Sequence, residues 1–271
     1  VLAHGLELMP PAEPWRRRAW AAMQKHVLCG ADLVVANSQY TARLVAEVAP
    51  GARVVAVPLA VDPERFVPPP PGTREARTSG VTVLTVARLA GYKAHDTVLR
   101  AIAAMRPELR SQLRYQIAGR GPAEASLRSL ADDLGIAMQV DWLGFVHEEQ
   151  LPHIYGGADL MILPTRESRS GREVEGFGLV FLEAQSCGTP VIGARTGGIP
   201  DAVEHGRGGW LVEQDDVAAI TGHLEALVTD RARYRAAGDE ARARVVEGHT
   251  WKGYGERFVR ALAAHNISLE D

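Results

Sequence analysis

Short runs of aliphatic residues recur along the chain, each stopped by glycine or proline and followed by a stretch with helical spacing. The runs are Val81-Thr82-Val83-Leu84-Thr85-Val86, Tyr115-Gln116-Ile117-Ala118, Val140 to Leu143, Leu160-Met161-Ile162-Leu163, Pro190-Val191-Ile192-Gly193 and Gly209-Trp210-Leu211-Val212. Most are apolar at consecutive positions, so both faces of the strand need cover, as in a parallel sheet. Asp96 to Ala104, Ala123 to Leu134, Glu148 to Tyr155, Phe177 to Ser186 and Asp216 to Thr229 read as the intervening helices. Gly135 and Gly188 stand where such helices end. This alternation predicts an α/β chain with a doubly wound parallel sheet. A smaller copy of the pattern precedes it. Ala12 to Leu28 has helical spacing, Leu33 to Ala36 and Val54 to Val57 read as strands, and Ser38 or Thr41 caps a helix through Leu44 to Val48.

Pro63 to Gly80 breaks the rhythm. Pro68-Pro69-Pro70-Pro71-Gly72 continues neither helix nor sheet, so residues 67–80 read as a linker. Val1-Leu2-Ala3-His4-Gly5 reads as a strand end running into a loop, and the expectation is that the chain begins inside a domain.

Composition removes several classes. The 271 residues carry 30 basic and 33 acidic side chains, a net charge of −3, which does not mark a nucleic-acid binder. Cys29 and Cys187 are too few for a disulfide framework, so a reducing, cytoplasmic setting is expected. No apolar run approaches the roughly 18 residues of a membrane span, and the opening residues do not read as a signal peptide. Only Lys25, Lys93 and Lys252 are lysines, which singles each out.

Ligands of open parallel sheets bind beyond the C-terminal strand ends. That directs attention to the loops 87–95, 119–122, 144–147 and 165–178. The most specific segment is Glu175-Gly176-Phe177-Gly178-Leu179-Val180-Phe181-Leu182-Glu183. Residues 176–179 present amides at a helix N-terminus, where phosphate or a polarised sugar oxygen finds unpaired donors. Gly176 and Gly178 allow close approach to that backbone. Glu175 is either a capping carboxylate or an acceptor for sugar hydroxyls. Glu183, expected about two turns into the helix, is either a surface residue or a ligand for ribose hydroxyls. Gly119-Arg120-Gly121 starts like a dinucleotide fingerprint, but Glu124 holds the third glycine position. His147 and His153 have no third ligand in view, and no Asp-x-Asp occurs, so no metal site is expected.

Glu175 to Glu183, with Ala184-Gln185-Ser186-Cys187-Gly188-Thr189-Pro190-Val191-Ile192 and Thr196-Gly197-Gly198-Ile199-Pro200-Asp201, resembles the C-terminal domain of family 4 retaining glycosyltransferases of the GT-B fold. Val83 to Leu89 resembles the first strand of that domain, and Asn37 to Thr41 and Val61 to Phe66 its N-terminal-domain exit and hinge. The resemblance spans almost the whole chain. It implies a Rossmann-like donor domain over 81–248. Residues 1–66 would then be the C-terminal part of a partial, acceptor-side Rossmann-like domain, and 249–271 a helix crossing back toward it.

By the same resemblance, Arg88 and Lys93 match the pair that grips the donor diphosphate. Glu175 and the amides of Gly176, Phe177, Gly178 and Leu179 match the sugar cradle, Glu183 the ribose ligand, and Val146 the position whose backbone meets the base. His4, in His4-Gly5-Leu6-Glu7, matches a histidine beside the transferred sugar across the cleft; Glu7 receives no role. Ala94 departs from the usual Lys-Gly-His. The implied reaction is metal-independent hexosyl transfer with retention from a nucleotide diphosphate sugar, needing no cofactor. Arg166 to Val174 is similar to the same loop in phosphatidylinositol mannosyltransferases, which favours GDP-mannose and leaves UDP-sugars open. The acceptor (lipid, glycan or small molecule) and the oligomeric state are not legible. Trp15-Arg16-Arg17-Arg18-Ala19-Trp20 reads as a solvated helix face with its tryptophans packed inward, or as a peripheral contact with the inner face of a membrane. Competing readings are a nucleotide-sugar-binding fragment without turnover and a GT-B-like epimerase.

Overall fold

A computed structural model describes residues 1–5, 8–9, 11, 13–70, 80–168 and 173–268. Glu7, most of the proline-containing linker and the middle of the basic loop at 169–172 lie outside the described residues.

Two parallel sheets organise the chain. The smaller has the order β1 (Leu2–Ala3), β2 (Val34–Ala36), β3 (Val54–Ala56). The larger contains β4 (Val81–Val86), β5 (Leu113–Ala118), β6 (Val140–Gly144), β7 (Leu160–Leu163), β8 (Val191–Ala194) and β9 (Gly209–Val212). Its strands lie side by side as β6-β5-β4-β7-β8-β9, all parallel. The chain builds outward from β4 in one direction, then returns to β4's other side with β7. The crevice between the loops that leave β4 and β7 is therefore the switch point where such sheets hold ligands.

Burial explains the consecutive apolar positions. On β4, Val81 and Val83 face one core layer while Leu84 and Val86 face another, the period of two that a pleated strand imposes. The first layer is covered by α3 (His95–Ala104), α5 (Glu124–Asp133) and α9 (Val217–Thr229). The second is covered by α6 (Leu151–Gly157), α7 (Leu179–Ser186) and α10 (Arg231–Gly248). Short helices α4 (Pro107–Arg110) and α8 (Ile199–Ala202) complete the connections.

The small sheet is flanked by α1 (Pro14–Gly30) and α2 (Gln39–Val48) on one side. Ser38, not Thr41, caps α2; its Oγ accepts from the Thr41 amide at 3.0 Å. Helix α11 (Trp251–Ala264) packs Tyr254, Phe258 and Leu262 against Leu33, Val35 and Val57 on the other side. Trp15 is not packed inward: it is 80% exposed, because α1 docks through Gln24 and Leu28 in its C-terminal half. Trp20 is half-buried.

The crossing between the sheets is held by α10, an element the apolar pattern does not reveal. Arg242 Nη1 donates to the carbonyls of Phe66 (2.8 Å) and Ser186 (2.6 Å), and Nη2 to that of Pro63 (3.1 Å). Nearby, neutral His249 donates through Nδ1 to the Leu59 carbonyl at 3.4 Å and accepts from Arg244 through Nε2 at 3.0 Å. Its own carbonyl accepts from the Val61 amide at 2.9 Å.

Removing the Arg242 guanidinium takes a charged donor from three carbonyls, of which that of Phe66 keeps the Ser186 hydroxyl. Arg242→Met should therefore cost about 2–3 kcal/mol in urea unfolding, and an unchanged midpoint would contradict the bracket. Burial holds His95 and His249 near pKa 4, against about 6.5 in an unfolded chain. As pH falls, the unfolded chain takes up these protons first. Their contribution is complete above about pH 6.5 and drains away toward pH 4. Melting temperature should fall across that window, and His249→Gln should flatten the fall; equal slopes in both proteins would contradict it.

Candidate functional site

The loop leaving β4 runs from Ala87 into a single 3-10 turn, Gly91–Lys93, and then into α3. Ala94 sits between them with φ of 56°, buried, in the left-handed conformation where glycine is the easier residue. The departure from Lys-Gly-His thus keeps the turn's shape and adds a methyl to the core. His95 Nε2 donates to the Arg88 carbonyl at 3.3 Å, tying the two ends of the loop together.

The loops after β5 and β6 stack against it. Leu89 N donates to the Arg120 carbonyl at 3.1 Å and Gly119 N to that of Gly144 at 2.7 Å. Gly119 is required by contact as well as by its φ of 148°: a Cβ there would stand 1.9 Å from the Ala87 carbonyl oxygen. The glycines of Gly119-Arg120-Gly121 therefore serve backbone packing between loops.

On the other side of the crevice, Arg166 N donates to the Tyr92 carbonyl at 2.8 Å, and its guanidinium pairs with Asp96 and Asp215, each at 2.8 Å. The first residue of the basic loop is thus bound into the scaffold. Further along, Glu175 reaches Lys93. Its Oε2 lies 2.5 Å from Nζ, with the two side chains 17% and 13% exposed.

Helix α7 begins two residues later than its sequence suggests. Gly178, at φ 89°, stands just before it in the left-handed region and Phe177 is buried beneath, so the first helical residue is Leu179. Glu183 accordingly lies little more than one turn in, not two. Its Oε2 accepts from the Tyr155 hydroxyl at 2.7 Å. Burial pushes the Glu183 carboxyl up, while that hydrogen bond and the charge of Arg65 pull it back. Tyr155, pushed up by burial and by Glu183, stays protonated as the donor.

The Glu175–Gly176 backbone is gripped from two directions. Gly198 N donates to the Glu175 carbonyl at 2.8 Å, and a Cβ on Gly198 would stand 1.9 Å from the Gly176 carbonyl oxygen. From the small sheet, the His4 carbonyl lies where a Cβ on Gly176 would meet it at 2.5 Å, and it accepts from Asn37 Nδ2 at 3.1 Å. Asp201 spans the same gap, its carboxylate accepting from the Gln39 amide at 3.2 Å.

The structure therefore brings together Lys93, Glu175, the Gly176–Leu179 backbone and His4, with Glu183 one turn along the same helix. Arg88 shares Lys93's loop, but its side chain is exposed and makes no ion pair among the described residues. Val146 is half-buried beyond β6, at the far side of the stacked loops. Tyr155, Asn37 and Asp201 were not assigned to the site from sequence. Asn37 and Asp201 lie inside motifs quoted there, whereas Tyr155 meets Glu183 across 28 positions and leaves no local signal.

A family model described as Glycosyl transferases group 1 matches residues 74–244. The chain is 34% identical over 242 residues to the GDP-mannose-dependent alpha-(1-6)-phosphatidylinositol monomannoside mannosyltransferase of Mycolicibacterium smegmatis, covering 86% of this chain and 62% of that protein. It is 36% identical over 272 residues to the D-inositol 3-phosphate glycosyltransferase of Geodermatophilus obscurus, covering 94% and 56% respectively. The chain thus spans about six-tenths of the length of these curated relatives. The crystal structure of Anabaena Alr3699/HepE in complex with UDP and glucose matches with a TM-score of 0.79 at 20% identity, over 97% of this chain and 71% of that one. Sucrose-phosphate synthase from Thermosynechococcus elongatus matches with a TM-score of 0.78 at 24% identity, over 97% and 67%.

Proposed function

The chain belongs to the group 1 glycosyl transferases and has the GT-B fold, and from that premise we propose that its switch-point crevice binds a nucleotide diphosphate sugar and passes the hexosyl group to an acceptor hydroxyl with retention. The observation that carries this reading is the meeting of Lys93 and Glu175 beside the free amides of α7. A cation, a row of unpaired N–H donors and a helix dipole suit the diphosphate that leaves. A carboxylate beside them suits the hydroxyls of the sugar that stays.

In this reading Lys93 and the amides around Gly178 and Leu179 stabilise the departing phosphate, with Arg88 turning in as a second cation. Catalysis is then mainly stabilisation of developing charge. The departing phosphate takes the acceptor's proton, which is consistent with attack from the same face. Glu175 accepts from sugar hydroxyls, Glu183 with Tyr155 receives the ribose, and the Val146 backbone meets the base. His4 borders the sugar from the small sheet. The names of the mannosyltransferase relatives favour GDP-mannose as donor, and the inositol 3-phosphate relatives keep the acceptor class open. No helix among the described residues is long and apolar enough to cross a membrane; contact with a lipid acceptor would be peripheral.

A thermal-shift panel of nucleotide sugars tests the donor assignment, since a ligand that binds the folded chain raises its melting temperature. GDP-mannose should give the largest rise, and chelating divalent metals should not abolish it; no rise with any nucleotide sugar would overturn the reading. Release of GDP from GDP-mannose should fall roughly 10²–10³-fold in Lys93→Ala, the scale of losing one charge-stabilising donor. Glu183→Ala should chiefly weaken donor binding, and a rate defect at unchanged donor affinity would contradict its role.

A further inference from the structure

We propose that the Lys93–Glu175 ion pair makes the site discriminate between a nucleoside diphosphate that carries its sugar and one that has lost it, so that the pair helps expel the product. The inference rests on the donor-site reading above and adds to it a role that neither residue has alone.

Two groups compete for one ammonium. Lys93 Nζ is 2.5 Å from Glu175 Oε2, and both side chains are largely withdrawn from water. Nζ also lies 4.9 Å from the centroid of the Tyr92 ring. Among the described residues, no second carboxylate pairs with Lys93 and no second cation pairs with Glu175. A diphosphate entering the crevice therefore competes for Nζ with the carboxylate that already holds it.

Glu175 then loses part of its hold on the ammonium, which is costly for a shielded carboxylate unless other donors make up the difference. Its backbone is held in place. Gly198 N holds its carbonyl at 2.8 Å, and any Cβ on Gly197 would stand 2.2 Å from that same oxygen. Donor sugar hydroxyls supply the missing hydrogen bonds in place. A bare nucleoside diphosphate supplies none and adds a negative charge that Glu175 repels. The sugar-bearing ligand thus satisfies both halves of the pair, whereas the product satisfies only Lys93. Once the sugar has left, Glu175 and phosphate compete again for the ammonium, which favours release.

Calorimetric titration of the wild-type chain and Glu175→Gln with GDP and GDP-mannose tests this. Removing the charge should tighten GDP about tenfold, the scale of one charge-assisted hydrogen bond, while GDP-mannose gains little or weakens. The ratio of the two affinities should collapse accordingly. The gain for GDP should vanish when Lys93→Met is added, because the cycle isolates the coupling between the two residues. Glu175→Ser, which also removes the charge, should give the same sign if the glutamine variant folds poorly. Weaker or equal GDP binding in both folded variants, with wild-type binding intact, would overturn the inference and leave the donor site standing. Failure of the wild-type chain to bind GDP, GDP-mannose, UDP or UDP-glucose would overturn the donor reading itself.

Discussion

An ion pair joins the two loops that leave neighbouring strands at the sheet's switch point, and the site depends on it. Lys93 follows β4, Glu175 follows β7, and their side chains meet at 2.5 Å across the crevice. At an effective dielectric near 20, two unit charges about 4 Å apart attract by roughly 4 kcal/mol. Much of that is offset by the cost of taking both from water. The pair is therefore poor as a source of stability and good as a fixed arrangement of charge. It sets a cation and an anion side by side at the mouth of a helix, the arrangement on which the proposed donor site rests.

What keeps those charges in place is mostly backbone. The 3-10 turn and left-handed Ala94 aim Lys93, while the Gly197–Gly198 loop clamps the peptide that carries Glu175. The small sheet contributes to the same clamp through the His4 carbonyl, Asn37 and the Gln39 amide, which meet Gly176 and Asp201. Residues more than a hundred positions away thus touch the peptide next to the proposed sugar-binding carboxylate. A shift of the small sheet relative to the large one would disturb the His4–Gly176 contact beside Glu175.

The strands of the large sheet were legible because most of their positions are buried, fully so in β7, β8 and β9, while Arg114 of β5 and Leu143 of edge strand β6 are exposed. Helix α10 was not. Its buried positions include Gly238 and Arg244 beside Tyr234, Ala241 and Val245, which breaks the apolar period that marks other helices. Gly238 is needed because a Cβ there would stand 2.2 Å from the Gly188 carbonyl oxygen. The start of α7 was misjudged by two residues, since nothing in Phe177-Gly178 announces a φ of 89°. Lys93 and Glu175 were each singled out as donor-site residues, but a contact across 82 positions has no sequence pattern, and their pairing came from the fold. The inward packing expected of Trp15 failed because helical spacing says which residues share a face, not how far along the helix that face stays covered.

In the proposed site a diphosphate lies between Lys93 and the amides that open α7. Hydrogen–deuterium exchange of the chain with and without saturating GDP measures it at the backbone itself. The account predicts slowed exchange concentrated at residues 176–181 and in the loop 87–95. Protection confined to another surface, with both segments unchanged, would contradict it.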